Sequence, residues 1–388
     1  MRLLHTADWH LGKRLYGLDR RDELRAALEE LARIAADEAV DAVVIAGDMI
    51  DRRVTDAEPI GDALEAMERF AAVAPVIIVA GNHDDPVLWT ALAPYLAMRG
   101  VTLLGRPAEP ARAITTVATG AGPLHVGMLP WPDPARLGAD VGATAQATKA
   151  TYADMVRDII ALYAEELRQR RMREGGAAIL AGHLMVDGAL SGGGEREMTM
   201  GITYAISPQT LPADLDYIAL GHVHRPQAVP RTASPARYSG SPIALDFSED
   251  NHAKTASIVT ITPERTTVTE IPLSAGRPLA RIRGSLDELG ELAAGHPEAR
   301  FLVEVDLEVP VLDLVRAVRE IVPDAIRVEP RYPPAPITTD GEASVDAPIQ
   351  DLAEAYATWY STLDRVLPDA QLEAFREALS ATEHEAGE

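Results

Sequence analysis

The chain of 388 residues contains no cysteine. Disulfides and thiolate metal sites are therefore excluded, and a reducing compartment is expected. Lysine is nearly absent, occurring only at Lys13, Lys149 and Lys254, so arginine carries almost all the positive charge. That charge is far outweighed: the formal net charge is −23, which argues against strong nucleic-acid binding through the bulk field. No run has the length and apolar purity of a membrane span. The opening "MRLLHTADWH" turns polar at once, unlike a secretory signal, so a cytoplasmic location is expected. Hydrophobic residues make up 47%, enough for a sizeable core, and the length suggests two or three domains.

The first third alternates strand and helix patterns. "RLLHTA" reads as a strand, then Leu24, Leu28, Leu31 and Ala35 recur at helical spacing. "DAVVIAGD" and "PVIIVAGN" are apolar runs of the kind buried on both faces in a parallel sheet. A helix over about 57–72 lies between them, giving βαβαβ. Residues 101–272 are richer in strands, interrupted by a helix over about 151–171. "SGGGEREMTMG" reads as a glycine-rich loop. After Pro278 a small α/β unit follows. In its strand "FLVEVDLE", Phe301, Val303, Val305 and Leu307 share one face and acids line most of the other, predicting one wet side. "RYPPAPITTDGEASVDAP" is a proline-rich linker. Two terminal helices carry an aromatic stripe that includes Tyr356, Trp359 and Tyr360.

Five apolar runs end in the same chemistry: "ADWHLG", "AGDMID", "AGNHDD", "AGHLMV" and "LGHVHR". In an open α/β sheet, ligands bind beyond the strand C-termini. Side chains from five such ends can pool there. The pool is Asp8, His10, Asp48, Asn82, His183, His222 and His224. These nitrogen and hard oxygen donors suit manganese, iron or zinc. Seven donors exceed the needs of one ion, and two ions sharing a carboxylate would use them. Asp8 and His10, like His222 and His224, are two residues apart and point the same way if those segments stay extended. Asp51 reads as a supporting or capping residue. His5, His125, His252, His296 and His384 read as ordinary histidines.

These motifs, with "VDAVVIAGDMID", "GHLMVDGA", "LDYIALGHVHRPQ" and "YSGSPIALDFSE", resemble the calcineurin-like metallophosphoesterases, and within them the SbcD-type nuclease subunits. The resemblance is strongest to about residue 272. It implies a four-layer αββα sandwich with a small α/β capping domain and C-terminal helices. The expected division is a nuclease domain over 1–272, a cap over 273–332, a linker over 333–347 and helices over 348–388. By motif, one ion would be held by Asp8, His10, Asp48 and His224, and the other by Asp48, Asn82, His183 and His222, with manganese the expected metal. His83 would be the catalytic histidine and Asp84 its orienting partner. The resemblance further implies exonuclease and endonuclease activity on DNA ends and hairpins, in repair and recombination. It also implies a homodimer and a coiled-coil ATPase partner, SbcC, gripped by the terminal helices. The rival readings are a phosphoesterase for small-molecule or nucleotide phosphodiesters, and a non-catalytic scaffold.

Overall fold

The computed structural model describes residues 1–135, 145–190, 204–249, 253–333, 372, 373 and 375, with side chains omitted for 145–151. Two units separate, Met1–Tyr332 and Pro333–Glu388. The first unit holds nearly all the described residues. The glycine-rich loop, most of the linker and nearly all of the terminal-helix stretch lie outside the described residues.

The chain begins β1 (Arg2–Thr6), α1 (Arg21–Asp37), β2 (Ala42–Ile45), α2 (Ala57–Ala71), β3 (Val76–Val79), α3 (Pro86–Ala97) and β4 (Val101–Leu104). A hairpin of β5 (Ile114–Thr119) and β6 (Gly122–Leu129) precedes α4 (Ala145–Glu174). Then come β7 (Ala177–His183), β8 (Tyr217–Gly221), β9 (Gln227–Ala228), β10 (Ala236–Tyr238), β11 (Thr255–Ile261) and β12 (Thr266–Pro272). Two six-stranded sheets result, ordered β12-β11-β1-β2-β3-β4 and β9-β10-β8-β7-β6-β5. Strands β1 to β4 are mutually parallel. So are β6, β7, β8 and β10.

The period-two alternation of the apolar strands decides the layering. Leu4, Val43, Ile45, Val76 and Ile78 face outward and pack beneath the helices with Leu24, Leu28, Leu31, Met67 and Phe70. Their neighbours Leu3, Val44, Ile77 and Val79 face inward and meet Val126, Met128, Ile179, Ala181 and Ala219 of the second sheet. The far face of that sheet is covered by α4 through Tyr152, Val156, Ile160, Tyr163 and Leu167. Two sheets between two helical layers make the expected αββα sandwich. Strands β2 and β3 are covered on both faces, which is why they are buried along their whole length. No described helix is long and apolar enough to cross a membrane.

Helix α3 has no clear helical stripe in its sequence. It starts at Asp85, whose carboxylate accepts from the Val87 and Leu88 amides, with Pro86 at the first helical position.

The remaining strands β13 (Leu279–Gly284), β14 (Arg300–Asp306) and β15 (Ala325–Arg331) form a parallel sheet carrying α5 (Leu289–Ala294) and α6 (Leu314–Ile321). Phe301, Val303, Val305 and Leu307 do share its core face. The opposite face is drier than its acids suggested. Leu302 packs with Leu15, Phe247 and Leu279, and Glu304 is buried against Arg281 and Arg331. The small sheet is thus seated against the sandwich. Glu23 of α1 reinforces the seat, accepting from the Arg277 amide and from Arg300 Nη2, both at 2.9 Å.

Candidate metal centre

All five polar strand ends meet at one edge of the sandwich. Three groups of ligand-type atoms lie together: Asp8, His10 and His224; Asp48, His183 and His222; and His10, Asp48 and His83. Asp48 joins the first two groups, its Oδ2 lying 3.7 Å from His10 Nε2 and 3.3 Å from His183 Nε2. Asn82 joins the second, its Oδ1 being 3.0 Å from His183 Nε2 and 3.1 Å from His222 Nδ1. All seven pooled residues are therefore gathered. Asp8, His10, Asp48, His183 and His224 are buried, while Asn82 and His222 are partly exposed at the mouth.

The extended geometry expected for Asp8–His10 and His222–His224 is not what the structure holds. Asp8, His10, Asp48 and His222 all adopt positive φ, at 55°, 48°, 53° and 106°. Non-glycine residues rarely occupy this region, and when they do the neighbouring structure holds them there. Here the backbone of 8–11 runs beside that of 47–49. The Asp8 amide donates to the Gly47 carbonyl, His10 to Asp48 and Leu11 to Met49, at 2.9–3.0 Å. The Asp8 carboxylate in turn accepts from the His222 amide at 2.9 Å. These contacts hold the strained turns and aim their side chains inward.

Three of the histidines are oriented through the ring nitrogen turned away from the cluster. His183 Nδ1 donates to the Ala46 carbonyl at 2.7 Å, leaving Nε2 toward Asp48. His224 Nδ1 donates to Glu249 at 2.9 Å, and His10 Nδ1 lies 3.4 Å from Asp51 Oδ1. The Nε2 atoms of His10 and His224 then face each other at 3.1 Å. Two lone-pair-bearing nitrogens aimed at one point, beside buried carboxylates, fit a cation between them. The donor set matches a borderline or hard divalent ion.

Charge among the clustered side chains is balanced by protons. Burial, with the like charge of Asp48, pushes Asp8 up to about 7. Burial alone would depress His183, but the Asp48 and Asp8 carboxylates raise it to about 9. Burial lowers His10 to about 4, against the pull of Asp51 and Asp48. Burial also opposes ionisation of Asp48, yet His183, His83 and His10 hold its carboxyl well below the usual range.

The expected pairing of His83 with Asp84 is corrected by the structure. His83 Nδ1 donates to the Asp51 carbonyl at 2.6 Å. Asp84 is fully buried and turned away, accepting from the Gly81, Met49 and Ile50 amides. Asp84 therefore fixes the backbone of two loops and not the imidazole. Asp51 supports the site twice, through its carbonyl and its carboxylate.

Glu249 carried no expected role. It is 1% exposed, accepts from His224, Ser241 and Lys254, and is held at about 2 because these donors outweigh its burial. Trp131 was likewise unassigned. Its ring stacks on His222 with centroids 5.2 Å apart. Trp131 ends the strand pattern "LHVGMLPW", which gave no sign of a site role, and Glu249 closes the motif "YSGSPIALDFSE", the available signal for it.

Comparison with known proteins agrees with this geometry. The family model for calcineurin-like phosphoesterase matches residues 1–226. An SbcCD nuclease component of the SbcD type from Bacillus subtilis is 36% identical over 346 residues, covering 86% of this chain and 86% of that protein. Its counterpart in Rhodobacter capsulatus is 30% identical, covering 82% and 83%. The one in Escherichia coli is 28% identical, covering 74% and 72%. A fold of two helix-covered sheets, a shared His/Asp centre at their edge and relatives matched over most of their length lead to one assignment: the chain belongs to the calcineurin-like phosphoesterase family, in its SbcD branch.

Proposed function

We propose that the chain is the metal-dependent nuclease subunit of an SbcCD-type complex, hydrolysing DNA phosphodiesters with two divalent cations. The supporting observation is the two-lobed cluster sharing Asp48. Asp8, His10, Asp48 and His224 would hold one ion, and Asp48, Asn82, His183 and His222 the other, with manganese the expected metal. When bound, such a pair supplies Lewis acidity and lowers the pKa of water enough to yield a nucleophile near neutral pH. The chain's own residues do the rest. With Nδ1–H committed to the Asp51 carbonyl, the imidazolium form of His83 carries its second proton on Nε2 and can give it to the departing sugar oxygen, leaving the neutral ring. His83 is 6% exposed, so its ring is held in one place at the mouth. Asp84 and Asp51 keep the loops bearing Asp48 and His83 in register.

The small α/β unit over residues 273–332 acts as the capping domain. The acidic balance leaves the isolated subunit a weak DNA binder, so a coiled-coil ATPase partner supplies most of the affinity. The terminal stretch is the segment assigned to grip it, and the subunit works as a homodimer. The test is hydrolysis of linear duplex, single-stranded DNA and bis(p-nitrophenyl) phosphate with manganese, with magnesium and after chelation. Manganese-dependent DNA cleavage abolished by chelator is expected. Turnover of the aryl diester alone would leave only a general phosphodiesterase.

Cation uptake should release protons, because His183 at about 9 and Asp8 at about 7 must lose them first. Affinity is therefore expected to rise with pH, by about tenfold per unit between 7 and 9 and more steeply below 7. Calorimetry in buffers of different ionisation enthalpy measures the released protons. Affinity independent of pH over this range would contradict the assignment.

Glu249→Gln replaces the carboxylate that accepts from His224 Nδ1 with a neutral amide, removing the charge that holds the ring and raises its basicity. It is expected to weaken cation binding about 10–100-fold, as losses of such supporting carboxylates do. Metal titration of the folded variant reads this directly.

A further inference from the structure

A small cavity of about 190 Å³ opens directly beside the metal centre, lined by Arg53, Pro86, Arg106, Pro107, Trp131 and Pro132 among others. It is physically continuous with the centre at two points. Arg53 Nε donates to the carbonyl of Asn82 at 3.2 Å. Trp131 forms one wall and also stacks on His222. The walls are three prolines and an indole, which are rigid and largely apolar. The rim is cationic, in a chain whose net charge is −23. Arg53 is partly neutralised by Asp133, 3.6 Å away. Arg106 is exposed, and among the described residues no ion pair or hydrogen bond engages its guanidinium.

Flat apolar walls accept a nucleobase or sugar, because every base offers a π-face and stacking tolerates any sequence. A free guanidinium at the lip suits a phosphate oxygen. The first residue of α3, Pro86, and the loop after β4, carrying Pro107, meet at the same cavity. The pocket thus borders the loop that carries Asn82 and is not a separate part of the surface.

We propose that this cavity is a nucleotide subsite: it takes the base and sugar flanking the scissile phosphodiester, with the next phosphate on Arg106. The proposal rests on the nuclease reading above and names the part of the substrate that reading leaves unplaced. It makes Arg106 a positioning residue, acting on a phosphate that does not react.

The test uses the full chain and a short fluorescent thymidine oligonucleotide. Affinity is measured by anisotropy in chelator at several salt concentrations, and kcat/KM with manganese for the oligonucleotide and for bis(p-nitrophenyl) phosphate. For Arg106→Gln, affinity should fall about fivefold at low salt, and the slope of log affinity against log salt should shrink by about 0.7, the value for one phosphate contact on a single strand. The ratio of oligonucleotide to aryl-diester kcat/KM should fall by a similar factor, and further for Arg106→Glu. Wild-type salt slopes and ratios in both variants would overturn the subsite while leaving the nuclease reading intact. A wild-type chain that turns over the aryl diester but neither binds nor cleaves the oligonucleotide would overturn both.

Discussion

His83→Gln is expected to lose about 10²–10⁴-fold in kcat on DNA, the range for removing a positioned acid, with both cations still bound. The expectation follows from how the ring is held. Nδ1 is tied to a backbone carbonyl at 2.6 Å, which leaves a single nitrogen for chemistry. The ring stands edge-on to His10, with centroids 4.6 Å apart, so it borders the centre without being central to it. Geometry alone also places His83 among atoms that could hold an ion, together with His10 and Asp48. Metal content separates the two roles. A variant that retains cation stoichiometry but not turnover identifies an acid. A variant that loses a cation identifies a ligand. The leaving group adds a second discriminant. An ester of p-nitrophenol departs without a proton, so its hydrolysis should suffer much less in His83→Gln than cleavage of a sugar oxygen. Equal losses on both substrates would contradict the acid role.

The segment "GNHDD" shows what was legible in the sequence and what was not. Four polar residues in a row at the end of a buried strand announce a site; residue type pointed Asn82 toward it, and the resemblance supplied the role of His83. The division of labour among them needed coordinates. Asn82 faces His183 and His222, while His83 leans on the Asp51 carbonyl. Asp84 pins three amides, and Asp85 caps α3. The resemblance implied a His83–Asp84 pair, but the Asp84 carboxylate is taken up by backbone amides. The four-layer sandwich was implied by the resemblance, and that β2 and β3 are covered on both faces was legible because apolar runs with no polar face must be. The return of β11 and β12 to pair beside β1 was not, since register between strands so far apart in the chain, as in Arg2 opposite Thr260, leaves no local trace. Glu249 was hidden for a similar reason. It meets His224 only because the chain between them folds back. The left-handed backbone at Asp8, His10 and Asp48 was invisible too, because it is imposed by hydrogen bonds between loops and not by residue type.

Gly81→Ala tests whether that backbone register is what makes the centre work, with no donor removed. A Cβ on Gly81 would lie 2.1 Å from Asp48 Oδ1, 2.5 Å from Asp48 N and 2.7 Å from Asp48 Cγ. These distances are far inside van der Waals contact. Relief cannot come from a swinging side-chain tip, because the Asp48 backbone is among the atoms struck. The Asp48 loop is held on its other side by the Asp84 carboxylate through Met49 and Ile50, and by His10, whose amide donates to the Asp48 carbonyl. The carboxylate must therefore move, and its Oδ1 contact with the His83 amide at 2.8 Å must stretch. A displacement of about 1 Å in a positioning group costs about 10²-fold in rate, and overpacking a core costs about 1–3 kcal/mol in stability. Because Asp48 is the residue both lobes share, one misplaced methyl group should weaken both cations together, unlike Glu249→Gln, which acts on the lobe containing His224. The expected result is a folded chain, less stable to heat, with turnover down about 10²-fold or more and metal stoichiometry lowered for both sites in parallel. Wild-type turnover with full metal content in Gly81→Ala would mean that Asp48 is not held where the centre needs it by this close approach. A variant losing only one cation would show that Asp48 does not serve both.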